Sequence, residues 1–343
     1  MKGQVSIQFN WIFVLIAGAV ILLFFAGIVI KQKGVSETKF CGTVLNSLDA
    51  TFSIVSESSG TEKTTDMPKQ VIELDCREYR CLGTENIPAK STGNLPLFGP
   101  GELEGMTAII SSKEWDVPFR IVNFLYVTTQ EVRYYIVYRD SSSETFANYV
   151  YDKMPDNVTK ELVSFDQILS ISNKNDNKVR FIFVDVTGQA NLPNFFDLYS
   201  DEDVTVLEID SSIRSLKFYD RIGQDFILAG ISYYINDVDM LGAIFSDNLN
   251  NFECALRKAY QRLNYITTIN LYRIDEISNI VDQTSSCPFI YAGVYDELEE
   301  LKSASLDCID TVNDVCAMDI YSSIIDLRTY NNDLIKESCP LLY

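Results

Sequence analysis

The chain contains no histidine in 343 residues. Within one polypeptide this excludes Ser-His-Asp and Cys-His nucleophiles, imidazole proton shuttles and histidine-ligated zinc. Positive charge is also scarce: 28 Lys plus Arg stand against 48 Asp plus Glu, a net charge of −20. Residues 1–33 hold Lys2, Lys31, Lys33 and no acid, so the rest carries 25 basic and 48 acidic residues, or −23. Such a surface repels phosphate, and nucleic acid is not an expected partner. There is no Cys-x-x-Cys pair, no Walker loop, no GxGxxG, no internal repeat and no low-complexity tract. The sequence therefore offers no catalytic constellation and no cofactor motif, and an enzyme is not expected.

What is present begins with an apolar run. Residues 11–30 read WIFVLIAGAVILLFFAGIVI, uncharged throughout. At ~1.5 Å per residue they would cover about 30 Å as a helix, the thickness of a hydrocarbon core. The expectation is a transmembrane helix retained as an anchor, since no small-x-small cleavage site follows it. The flanking lysines are too evenly divided to orient it. All eight cysteines lie beyond it (Cys41, Cys76, Cys81, Cys254, Cys287, Cys308, Cys316 and Cys339). An even count on one side fits an oxidising exterior. Asn157-Val158-Thr159 adds a glycosylation sequon at Asn157 on the same side. The expected localisation is the cell membrane, single-pass, with a cytoplasmic N-terminus and an extracytoplasmic bulk.

Directly before the run stands Lys2-Gly3-Gln4-Val5-Ser6-Ile7-Gln8-Phe9. This resembles the archaeal class III signal sequence of type IV pilin-like proteins. The resemblance covers about 30 residues and implies cleavage between Gly3 and Gln4, with the apolar helix kept in the mature protein. Gln4 and Ser6 match the pattern. Gln8 departs from it, because the family has glutamate at that place, and a neutral amide cannot form the corresponding charge pair. A plain signal anchor is the alternative reading. The remainder is similar to single-pass archaeal surface proteins, which implies no activity.

The expected organisation is a short N-terminus (1–10), the transmembrane helix (11–30), a stem helix and linker (31–68), an α+β domain (69–245) and a helical domain (246–343). In the stem, Val44, Leu45, Leu48, Phe52 and Val55 recur at helical spacing, and the polar stretch 56–68 ends it. In the middle region, 120–127 and 132–138 read as a hairpin with a four-residue connection. Residues 179–186 (VRFIFVDV) form a nearly continuous apolar run, as in a strand covered on both faces. Further strands are expected at 204–209, 216–219 and 226–235, and a mixed sheet is favoured over a regularly wound one. Beyond 246, helical periodicity runs through 249–281, and a further long helix is read across 306–334, broken near Tyr330. The fold class is thus α+β: an N-terminal transmembrane helix, a mixed β-rich ectodomain, and a C-terminal disulfide-stapled helical hairpin or bundle.

The cysteines carry the bracing. Cys76 and Cys81 bracket an expected turn and could close a local loop; free thiols and zinc are the alternatives. Cys308 and Cys316 are eight apart, about 12 Å along an intact helix, and cannot then bond to each other. The pairs favoured are Cys254 with Cys308 or Cys316, and Cys287 with Cys339. Eight cysteines allow 105 pairings.

Several carboxylates stand in partial motifs for other chemistry. Asp185-Val186-Thr187-Gly188 follows a buried strand but resembles a haloacid-dehalogenase loop only in part, with Thr187 in place of the second aspartate. Asp210-Ser211-Ser212-Ile213-Arg214 misses the metal-dependent adhesion pattern at Arg214. Asp197, Asp201, Glu202 and Asp203 could bind calcium, yet lack EF-hand spacing. Asn173, Asn175 and Asn177 read as a turn. Tyr134-Tyr135 and Tyr233-Tyr234 could line a partner surface or pack across a sheet. The function expected is a membrane-anchored extracytoplasmic protein acting by interaction, as a cell-envelope or pilin-like component, with membrane lipid and membrane or envelope proteins as partners. A tethered carboxylate- or calcium-dependent ligand-binding or hydrolytic domain, or an accessory subunit of a membrane complex, is the alternative.

Overall fold

The structure is a computed structural model that describes residues 4–67, 71–83, 87–172, 174, 176–186, 194–281 and 285–342, with backbone alone at 4–10, 12, 29–38 and 194–195. Helix α1 (Gln4–Glu57) is continuous and leads into β1 (Glu62–Asp66). Five short strands follow: β2 (Ile72–Leu74), β3 (Glu78–Cys81), β4 (Lys90–Ser91), β5 (Leu97–Phe98) and β6 (Glu102–Leu103). Then come β7 (Thr107–Asp116), β8 (Arg120–Thr129), β9 (Val132–Tyr138), α2 (Ser141–Lys153), β10 (Thr159–Ser164), β11 (Lys178–Val184), β12 (Val204–Asp210), β13 (Ser215–Ile222) and β14 (Asp225–Tyr233). Four helices close the chain: α3 (Asp237–Phe245), α4 (Leu249–Ile280), α5 (Cys287–Asp310) and α6 (Asp314–Lys336). Short 3-10 turns precede β11 and β12.

Two parts of the expected fold class are corrected. First, among the described residues no helix is long and apolar enough to cross a membrane. Second, the chain as a whole is mixed α/β, 50% helix against 27% strand, with the strands gathered between Glu62 and Tyr233.

The strands form three sheets, ordered β1-β7-β8-β5, β4-β3-β2-β6 and β10-β9-β11-β12-β13-β14. In the third, β10, β9, β11 and β12 are parallel, and β13 and β14 finish the sheet antiparallel. The parallel strands were hidden because, among the described residues, α2 is the only α-helical crossover between them; the later connections carry 3-10 turns with no 3.6-residue pattern to read. The expected 120–138 hairpin is also corrected. β8 pairs with β7 and β5, whereas β9 pairs with β10 and β11, so the turn at Gln130-Glu131 passes the chain from one sheet to another.

β11 explains its own apolar sequence. Every residue in it is buried. Ile182 and Val184 join the large core with Ile136, Leu207 and Ile209, while Val179, Phe181 and Phe183 join a second core with Tyr135, Val206 and Phe196. The large core continues into α4, α5 and α6 through Phe252, Leu256, Leu263, Leu298 and Ile320, so the helical tail shares it with the sheets. A third core seats α1: Val44, Leu45, Leu48, Phe52 and Val55 pack on Tyr79, Leu74, Leu125 and Val127. The Phe52 and Tyr79 rings meet edge-on at 5.4 Å, and Tyr79 donates its hydroxyl hydrogen to Asp49 at 2.9 Å.

The expected long helix 306–334 breaks earlier than Tyr330. α5 stops at Asp310, and Asn313 starts α6 by accepting the Cys316 backbone N–H at 2.9 Å. An asparagine N-cap satisfies donors that an unbroken helix would pair internally.

Candidate functional site

Four disulfides brace the body. They join Cys41 to Cys81, Cys76 to Cys254, Cys287 to Cys339 and Cys308 to Cys316, with Cα separations of 6.2, 5.9, 5.8 and 5.4 Å. No Cys76–Cys81 loop bridge forms, because the two side chains serve different attachments: Cys81 ties β3 to α1, and Cys76 ties the loop before β3 to α4. No Cys254 bridge to the tail forms either. The break at 311–313 folds Cys316 back beside Cys308, which an intact helix would have kept apart.

α1 is divided into two environments. Beyond Cys41 one face of it, Val44, Leu45, Leu48, Phe52 and Val55, is buried against the sheets. The large apolar side chains described from Trp11 to Phe25 each stay at least 55% exposed, with Trp11 and Leu23 at 72%. Gly3 lies outside the described residues, and Gln4 is the first residue of α1 with its side chain outside them. Asn157 is exposed at the turn before β10, and its amide donates to Glu62 at 3.3 Å. A second apolar stripe, Tyr265, Ile269 and Tyr272, stands 62–72% exposed along α4 at helical spacing.

Of the candidate carboxylates, Asp185, Asp201, Asp203 and Asp210 are occupied locally. Asp185, with φ of +50°, accepts the Ser211 backbone N–H and hydroxyl, each at 2.7 Å. Asp210 accepts from Ser212 and Ile213 and shapes the β12–β13 turn; those hydrogen bonds outweigh burial and hold its carboxyl below the usual range. Asp201 accepts the Gly223 N–H through both oxygens, and Asp203 accepts from Ser200. Among the described residues no group of three or more Cys, Asp or Glu side chains is placed to hold a metal ion. Thr187, Asn173 and Asn175 lie outside the described residues. Tyr134 and Tyr135 pack on opposite faces of β9, in different cores.

A cleft that gathers unsatisfied charge was not read from sequence. It has a volume of about 380 Å³ and lies at the start of β11 and β12, walled by β6, β13 and the α3–α4 loop. Lys178 lines it at 8% exposure, and its ammonium has no hydrogen-bond or ion-pair partner among the described residues. A narrow extension of about 20 Å³ shares Lys178, Glu202, Thr205 and Asp247 with the cleft and reaches Arg180. Arg180 is 3% exposed, donates to Thr205 Oγ1 at 2.9 Å and to the Ala243 carbonyl at 2.8 Å, and leaves Nε unpaired. Burial pushes its guanidinium down to about 10, against the opposing pull of the Asp247 carboxylate. Asp247 is itself fixed by the Gly101 N–H at 2.8 Å and the Asn248 amide at 2.9 Å. The sequence signal was available: Lys178 and Arg180 are two cations at i and i+2, hence on one face of a strand that is buried on both.

Comparison with protein-family models, with curated proteins and with solved structures found no match to this chain.

Proposed function

We propose that the protein works outside the cytoplasm, attached to lipid by the bare apolar part of α1, and acts by interaction as a component of the cell envelope. The observation that carries this reading is the abrupt change along one continuous helix. Between Cys41 and Val55 one apolar face, Val44, Leu45, Leu48, Phe52 and Val55, is buried while Ile54 stays exposed, and over 13–25 the large apolar side chains described are all bare. A contiguous apolar surface of that kind needs a cover that the described chain does not supply. Four disulfides with no free cysteine support an oxidising compartment. The stem is held rigidly to the body by Cys41–Cys81 and by the Phe52–Tyr79–Asp49 contact, so a partner or bilayer at its far end would position the whole body. The Tyr265, Ile269 and Tyr272 stripe supports contact with a neighbouring protein. Processing between Gly3 and Gln4 belongs to the same proposal.

Flotation with phospholipid vesicles tests it. The full chain is expected to float with the vesicles. A variant carrying Leu22→Ser, Leu23→Ser, Phe24→Ser and Phe25→Ser is expected to stay at the bottom of the gradient with its four disulfides intact. A full chain that stays soluble and never floats refutes attachment.

A further inference from the structure

We propose that the cleft at the start of β11 and β12 binds a small zwitterion of the α-amino acid class, its carboxylate on Lys178 and its ammonium on the rim carboxylates. Three observations define the ligand. The inner wall presents Lys178 with no partner and, behind it, Arg180 with an unpaired Nε. A buried lysine side chain whose ammonium has no partner and opens on a ligand-sized space is placed to receive an anionic group. The rim presents Glu102, Glu202 and Asp220, which also make no side-chain hydrogen bond or ion pair among the described residues. The two remaining acids of the cleft, Asp201 and Asp247, are already held by backbone N–H groups of Gly223 and Gly101, and its other lining cation, Arg221, is spent on the Gly223 and Phe196 carbonyls and on Asp201.

A plain anion would satisfy Lys178 but would approach through carboxylates in a chain of net charge −20. A plain cation would meet the rim and leave Lys178 buried and unpaired. A molecule with both charges a few ångströms apart answers each wall with its opposite. The volume of about 380 Å³ falls in the range of small-molecule sites and accepts an amino acid with its side chain. The strand geometry supports the inner end: Lys178 and Arg180 lie about 7 Å apart on the same face, and Thr205 on the neighbouring parallel strand orients the guanidinium. This site is independent of the bare part of α1, so loss of vesicle binding and loss of ligand binding are separate outcomes.

The test is calorimetric titration of the purified full chain with glycine, L-glutamate and L-lysine, and with acetate and methylamine as the separate halves. At least one amino acid is expected to bind with Kd of about 1 mM or tighter, and both halves at least tenfold more weakly. Lys178→Met is expected to weaken the amino acid at least tenfold with an unchanged melting temperature. The paired exposed substitutions Glu202→Gln and Asp220→Asn, which disturb no buried group, are expected to weaken the amino acid and leave acetate unchanged. Failure of all three amino acids to bind at about 10 mM overturns the proposal. So does acetate binding as tightly as the best of them, and so does an amino acid that ignores the rim substitutions.

Discussion

Asp239→Asn should make this protein more stable at neutral and alkaline pH, and leave it unchanged near pH 4. Asp239 is fully buried at N3 of α3. Its Oδ2 accepts the Ile235 N–H at 2.7 Å and the Asn236 N–H at 3.3 Å, while Oδ1 and the indole nitrogen of Trp115 each lack a well-formed hydrogen bond. Burial, reinforced by the nearby Asp237 charge, outweighs those two N–H groups and pushes the carboxyl from 3.8 up to about 7. The native state therefore keeps a proton that the unfolded chain releases. Between pH 4 and pH 7 the folded form binds more protons, so stability from this group is full below about pH 4 and falls as pH rises to about 7. A shift of about 3 pH units corresponds to about 4 kcal/mol. Asparagine retains the acceptor oxygen for the capping N–H groups and never ionises. Urea unfolding, followed by the fluorescence of buried Trp115, reads the difference. The variant should match the wild type near pH 4 and exceed it by several kcal/mol at pH 8. A difference that does not change with pH refutes the assignment of a buried, ionising carboxylate.

Removal of the Cys76–Cys254 bridge by paired serine substitution should cost about twice as much stability as removal of Cys308–Cys316. The first spans 178 residues and the second eight, giving loop-entropy limits of about 5 and 2.5 kcal/mol; urea midpoints of the two double variants check the order. Gly242→Ala should destabilise by about 1–3 kcal/mol. Its Cβ would stand 2.8 Å from the Phe98 ring, which is packed between Phe124, Tyr126 and Phe252, and the loss should appear as a lower melting temperature with unchanged disulfides. Asn313→Ala removes the cap at the start of α6 and should cost about 1 kcal/mol by the same assay.

The parts of the fold legible in sequence are those set by local periodicity. Val44, Leu45, Leu48, Phe52 and Val55 announce a one-sided stem, and the structure buries all five. The run in β11 announces a strand covered on both faces, and two separate cores cover it. What local pattern cannot carry is the choice of long-range partner. Nothing in Gln130-Glu131 says that β9 leaves its neighbour for another sheet. Nothing in the spacing of Cys41 and Cys81 favours that pair over the other pairings, because the contact depends on where α1 docks. The α5–α6 break was readable in Asn313, whose cap competes with an apolar pattern that continues on both sides. The cleft was readable as two cations on one face of β11, but only once that strand was known to be central in its sheet.

The measurement closest to the central claim takes the protein directly from cells lysed in an alkylating agent without reductant, separates membrane from soluble material, and maps the cysteine peptides. The account predicts the chain in the membrane fraction with all eight cysteines unalkylated and linked as Cys41–Cys81, Cys76–Cys254, Cys287–Cys339 and Cys308–Cys316. A soluble chain carrying alkylated thiols at those positions contradicts it.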